Sequence, residues 1–209
     1  MSAFASNPLF ERVADDLATH GWTQQNIFLP EDLTLALAQE CRNRAQAGQM
    51  NQAGIGSGID PVIKESIRGD SIMWLNEGQS PSIDRYLNLM DSFKNTLNQS
   101  LFLGLEDYEC HFAWYPPGAY YKKHLDRFRD DDRRTVTSVL YLNEGWLPEF
   151  GGEMRMHLGA NKVYDVSPRL GTMMFFMSAD WPHEVLAATK DRLSIAGWFR
   201  RRADNPLFV

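Results

Sequence analysis

The hydrophobic period of this chain changes once, near Gly104, and that change restricts the architectures open to it. Before Gly104, apolar residues recur at helical spacing. Asn7 is suited to cap a first helix, with Pro8 at its first position, a stripe of Phe10, Val13, Ala14 and Leu17, and Gly21 as its stop. A second helix follows Pro30 through Leu33, Leu37 and Cys41 to Gly48, and residues 22–29 between the two read as a strand. After Ser80 and Pro81, the positions Ile83, Tyr86, Leu87, Met90, Phe93 and Leu97 define a third helix ending near Gly104, with its aromatic and Met positions in the core. Residues 49–60 carry Gly54, Gly56 and Gly58 and read as a mobile loop. A phosphate cradle would also need a lysine and a helix start, which are missing there.

After Gly104 the runs become short and β-rich: 108–115, 135–142, 152–158, 162–166, 172–177 and 192–200. Turn signals separate them at Pro116-Pro117-Gly118, Asn143-Glu144-Gly145, Gly151-Gly152 and Pro168-Arg169-Leu170-Gly171. Helices followed by strands predict an α+β fold, a double-stranded β-helix (jelly roll) core of about residues 105–202 buttressed by N-terminal helices. The 209 residues, 44% of them hydrophobic, are expected to form one domain over 1–209.

Charge and cysteine content exclude several classes of function. Lys and Arg number 21 against 27 Asp and Glu, a net charge of −6, so composition supplies no general attraction to nucleic acid or anionic membranes. Arg200-Arg201-Arg202 is a short basic run that reads as solvated. Cys41 and Cys110 lie far apart in no metal-binding spacing, which excludes a disulfide framework and suits a reducing compartment. With no signal-like N-terminus and no bilayer-length apolar run, the expected location is cytoplasmic.

The segment from Tyr121 to Asp126 holds His124 and Asp126 two residues apart. On extended backbone such side chains point the same way, so an imidazole and a carboxylate converge. With five histidines in the chain, that pair alone is a coincidence-level signal. It gains meaning from His183, which follows the apolar run 172–177, and from Arg192 nine residues later on the last strand. Two His and one carboxylate on one face of an ion leave three positions open, the arrangement of non-haem Fe(II) oxygenases. Two of these can chelate a 2-oxo acid, and one remains for O2. Arg192 suits the far carboxylate of 2-oxoglutarate, since its planar fork makes two parallel charge-assisted bonds, and Tyr141 is the candidate for a third. His20, His111 and His157 lack partners at ligand spacing and read as structural or exposed. No glycine-flanked serine elbow is present, and neither cysteine lies near a histidine motif.

These residues sit within longer motifs: Ile67-Arg68-Gly69-Asp70-Ser71-Ile72-Met73-Trp74, Tyr115-Pro116, Tyr141-Leu142-Asn143 running on to Trp146, Pro182-His183-Glu184-Val185, and Arg192 followed by Trp198-Phe199. Across residues 20–200 the chain resembles the prolyl 4-hydroxylases that modify hypoxia-inducible factor, and their compact bacterial relatives. The resemblance implies Fe(II) on His124, Asp126 and His183, and 2-oxoglutarate on Arg192 and Tyr141, with Tyr115 and Tyr121 beside it. It puts Arg134 and Trp198 against the target proline, and Arg68 with Asp70 as an ion pair at the substrate side of the site. It implies hydroxylation of a protein, with O2 consumed, succinate and CO2 released, and ascorbate as the reductant. Bacterial proteins of this kind are similar to hydroxylases of translation elongation factor Tu, the expected partner; a ribosomal protein or a small molecule is the alternative. The sequence departs from the animal enzymes at 54–60 and in the charged stretch 127–134. The glycine content of residues 49–67 and their place before the motif at 67–74 suggest a lid there, and residues 130–134 of the charged stretch a partner-selecting insert.

Overall fold

The computed structural model describes residues 7–53, 68–127 and 131–202. Three helices precede most of the sheet: α1 (Pro8–His20), α2 (Glu31–Gln46) and α3 (Pro81–Leu101). Strands β1 (Trp22–Gln25), β2 (Asn51–Gln52) and β3 (Ser71–Trp74) lie among them. The remaining strands are β4 (Leu105–Tyr115), β5 (Tyr121–His124), β6 (Arg134–Tyr141), β7 (Met154–His157), β8 (Val163–Val166), β9 (Met173–Met177), β10 (His183–Val185) and β11 (Arg192–Arg201). A seven-stranded sheet in the order β1-β9-β6-β11-β4-β3-β2 faces a four-stranded one in the order β5-β10-β7-β8. All their pairings are antiparallel. This is the jelly roll with helical buttress that the period change predicts.

Helix ends follow local chemistry. Asn7 accepts from Leu9 N–H, and Gly21 closes α1 at φ 75° in the left-handed region that glycine tolerates. Ser80 caps α3 through Ile83 N–H. The third helix stops at Leu101 because Phe102, not Gly104, takes the first left-handed conformation, at φ 53°.

The central strands of the large sheet are covered on both faces, which suits the unbroken apolar run of β9. Toward the helices, Phe112, Leu140, Phe175, Ile195 and Phe199 pack against Phe10, Leu37, Met90 and Phe93. Toward the small sheet, Val139, Tyr141, Met174 and Phe176 meet Met154, Met156 and Val166. Cys41 and Cys110 are free and buried, as small core residues.

Three expectations require correction. The strand 22–29 ends at Gln25: Ile27 is 80% exposed while Phe28 and Leu29 are both buried, a sequence that breaks strand alternation and carries the chain under the helices. Asn51 and Gln52, read as loop, pair with Ile72 and Ser71. Two strands were not foreseen, β3 and β10, because each is too short to show a period. The glycine-rich stretch 54–60 and the rest of the proposed lid through residue 67 lie outside the described residues.

Gly197 on β11 leaves room for Tyr108, whose ring occupies the space a Cβ would need. The Tyr108 hydroxyl bridges Tyr86 and Ser138, both at 2.8 Å. Gly197→Ala should overpack this point and cost about 1–3 kcal/mol, read as a lower midpoint in chemical denaturation. An unchanged midpoint would mean that the sheet yields freely here.

Candidate functional site

Register builds the site as a series of cross-strand rows. With β11 between β4 and β6, Arg192 lies opposite Tyr115, Ser194 is flanked by Ala113 and Tyr141, Ala196 by His111 and Val139, and Trp198 by Glu109 and Thr137. Directly paired residues share a face. Nearly all of these residues line one cavity of about 390 Å³ between the sheets, within the range of small-ligand sites.

The small sheet supplies the opposite wall. β5 and β10 pair so that His124 faces His183, their ring centroids 4.3 Å apart. Asp126, just beyond β5, sets Oδ1 3.6 Å from His124 Nε2 and Oδ2 3.6 Å from His183 Nε2. One donor atom from each of the three falls within 4.8 Å of the others. The imidazoles are fixed from behind: His124 Nδ1 donates to the Lys122 carbonyl at 2.7 Å and His183 Nδ1 to the Trp181 carbonyl at 3.1 Å. A nitrogen that donates there leaves Nε2 with its lone pair facing inward, the tautomer a metal ligand requires. Tyr121 stacks on the His124 ring at 3.7 Å, and Phe176 meets His183 edge-on at 4.9 Å. Burial favours the neutral form of His183, so its pKa is lowered. Burial would raise the Asp126 carboxyl, but the imidazoles of His183 and His124 and the Arg134 charge outweigh it and hold the group far below the usual carboxylate range. Two imidazoles and one carboxylate suit a divalent ion of the Fe(II) type.

Arg192 stands at the deep end, 2% exposed. Its Nε donates to the Gly152 carbonyl at 2.8 Å, and its guanidinium carbon lies 5.1 Å and 5.0 Å from the ring centres of Tyr115 and Tyr141. Among the described residues no carboxylate pairs with it. The Tyr141 hydroxyl beside it is buried without a hydrogen-bond partner; burial pushes its pKa up to about 12 against the pull of Arg192. A buried cation and a buried hydroxyl, each with unused donors, cost free energy unless an anion satisfies them. The end of the cavity therefore fits a carboxylate.

At the mouth, Arg134 stacks 3.5 Å over the Trp198 ring, held by Glu109 at 2.9 Å. Arg68 lies 4.6 Å over Tyr121 and is fixed by both oxygens of Asp70, at 2.7 and 2.6 Å. Of the eleven candidates read from the sequence, Asp70 and Tyr141 do not line the cavity and act on Arg68 and next to Arg192 respectively. In the charged stretch, residues 128–130 lie outside the described ones. Asp132 there pairs with Arg127 and Arg201, and Asp131 with Arg133.

Sequence reading missed Trp74, His111, Glu109 and Thr137, all of which line the cavity. His111, read as structural or exposed, is buried and meets Trp74 and Trp198 at centroid distances of 5.1 and 5.5 Å. Strand alternation backwards from Tyr115 reaches Ala113, His111 and Glu109, so the signal was present.

The description "2OG-Fe(II) oxygenase superfamily" fits residues 110–200, which match that family's model. A crystal structure of a Pseudomonas putida prolyl-4-hydroxylase is similar, with 55% identity and a TM-score of 0.85 over 93% of this chain and 100% of that one. So is the complex of a prolyl hydroxylase with a hypoxia-inducible factor oxygen degradation domain peptide fragment, from Trichoplax adhaerens, at 29% identity and TM-score 0.83 over 92% and 89% of the two chains. A hypoxia-inducible factor prolyl hydroxylase of Caenorhabditis elegans is 26% identical over 93% of this chain, which spans 28% of that relative's length.

Burial, with Arg68 nearby, holds the His111 pKa down to about 4 from its usual 6.5. The unfolded chain therefore takes up a proton that the folded one resists. Stability from this group is complete above pH 6.5 and is lost as pH falls toward 4. His111→Gln should flatten the acid side of the metal-free protein's stability profile, measured by urea denaturation at steps between pH 7 and 4. Parallel profiles would contradict the assignment.

Proposed function

This chain belongs to the 2OG-Fe(II) oxygenase superfamily as an enzyme of prolyl 4-hydroxylase type, and we propose that it hydroxylates C4 of a prolyl residue within a protein. The observation that carries this reading is the cavity joining a His-Asp-His cluster to a buried arginine that pairs with no carboxylate among the described residues.

In this reading His124, Asp126 and His183 hold Fe(II), and Arg192 with Tyr141 holds the distal carboxylate of 2-oxoglutarate. When bound, iron, 2-oxoglutarate and O2 supply the oxidising power, one oxygen atom going to the proline and one to succinate, with CO2 released. Ascorbate keeps the metal reduced. The chain's own residues do the positioning. The two Nδ1 hydrogen bonds keep both imidazoles turned inward. Tyr115 and Tyr121 line the co-substrate end, while Ala113, Ser194 and Ala196 leave room along the floor. Trp74 offers an apolar surface to a prolyl ring at the mouth, and Arg134, stacked across the face of Trp198, sets the edge beside it. Arg68, fixed by Asp70, completes the rim.

The relative solved with a peptide of hypoxia-inducible factor supports a protein substrate. Among proteins, our candidate is elongation factor Tu, the partner that the sequence resemblance implies, and the 55% identity to a Pseudomonas putida prolyl-4-hydroxylase supports the prolyl reaction. Net charge −6 weighs against nucleic acid as the substrate. No helix among the described residues is long and apolar enough to cross a membrane.

Purified elongation factor Tu incubated with enzyme, Fe(II), 2-oxoglutarate and ascorbate should gain one oxygen atom on a proline, located by peptide mass spectrometry and absent with His124→Ala. A lysate that yields no hydroxyproline under the same conditions would contradict the prolyl reading. Arg192→Lys, losing the forked contact, should raise the KM for 2-oxoglutarate roughly tenfold to a hundredfold. Arg134→Ala should instead raise the KM for the protein substrate. The reverse pattern would exchange the two ends of the cavity.

A further inference from the structure

Behind Asp126 the fold buries two hydroxyls that the iron site alone does not explain. Thr137 on β6 bonds Asp126 Oδ2 at 2.9 Å, and the Ser178 hydroxyl lies 2.8 Å from Thr137 Oγ1. Thr137 is 1% exposed and Ser178 is fully buried. A carboxylate only accepts, and a threonine hydroxyl has one proton. Thr137 therefore donates to Asp126, and the proton between the two hydroxyls must come from Ser178. The bonds thus run one way, Ser178 to Thr137 to Asp126.

The three groups come from different parts of the chain. Thr137 is placed by its row with Trp198 and Phe176. Ser178 directly follows β9, its N–H donating to Thr135 O at 3.0 Å and its carbonyl accepting from Arg127 N–H at 3.3 Å. One residue thus anchors the backbone just after Asp126 and, through Thr137, the carboxylate itself. Asp126 lies beyond the end of β5, outside any ladder of its own, so these bonds supply the restraint a strand would otherwise give.

We propose that Thr137 and Ser178 form a serial relay of positioning residues that sets the rotation of the Asp126 carboxylate for metal binding. Fixing Oδ2 fixes where Oδ1 points, toward His124 Nε2. The proposal rests on Asp126 being a metal ligand and adds the residues that aim it. Because the relay is serial, Ser178 acts only through Thr137, and its effect vanishes once the Thr137 hydroxyl is gone.

The test is Mn(II) binding to the metal-free protein, followed by the electron paramagnetic resonance signal of free Mn(II), with melting curves on every variant. Thr137→Val, of nearly the same shape, should weaken binding about tenfold or more. Thr137→Ser should bind close to wild type, and Ser178→Ala should fall between. The Thr137→Val/Ser178→Ala double variant should bind no more weakly than Thr137→Val. Wild-type affinity in folded Thr137→Val, or an additive loss in the double variant, would overturn the relay. Should Thr137→Val not fold, Ser178→Ala with wild-type affinity would overturn it equally. Wild-type protein that binds no Mn(II), or binds it undiminished after His124→Ala, would instead remove the iron-site reading itself.

Discussion

The pairing of β11 with β4 on one side and β6 on the other is the constraint on which the site depends. It is the most extended pairing in the molecule, ten residues against β4 and seven against β6. Each inward row on these strands contributes one step of the cavity, from Arg192 at the deep end to Trp198 and Arg200 at the mouth. A one-residue slip would turn that whole set toward the helices and bring Leu193, Ile195 and Phe199 into the cavity. The apolar packing of those three residues against α1–α3 therefore fixes the polar face as much as it stabilises the fold.

The second sheet needs much less extent. β5 and β10 are four and three residues long, and their pairing suffices to set His124 against His183. Short strands hold such precision only when their side chains are fixed from outside, as the carbonyls of Lys122 and Trp181 and the rings of Tyr121 and Phe176 do here. The large sheet thus provides the floor and the anion end, and the small sheet provides the imidazoles. Asp126 stands between them, bonded to Thr137 of the large sheet.

What could be read from sequence followed from local spacing along the chain. The change of period at Gly104 gave the layer order, and the two-residue spacing of His124 and Asp126 gave two donors of the cluster. Arg192 was legible because it opens the last strand near His183. Trp198, Arg134, Tyr115, Tyr121 and Arg68 came only through resemblance. Thr137 and Ser178 were out of reach because their roles depend on a contact between segments that lie 41 residues apart. His111 and Glu109 were within reach, on a strand already recognised and two and three alternating steps from Tyr115.

The central claim is that one metal, held by three named side chains, sits in line with a carboxylate site at Arg192. The most direct measurement is a crystal grown without oxygen in Fe(II) and 2-oxoglutarate, with anomalous density recorded at the iron edge. The account predicts one peak roughly 2 Å from His124 Nε2, His183 Nε2 and an Asp126 oxygen, and the distal carboxylate of 2-oxoglutarate against Arg192. Iron bound elsewhere, or a co-substrate that leaves Arg192 unpaired, would contradict it.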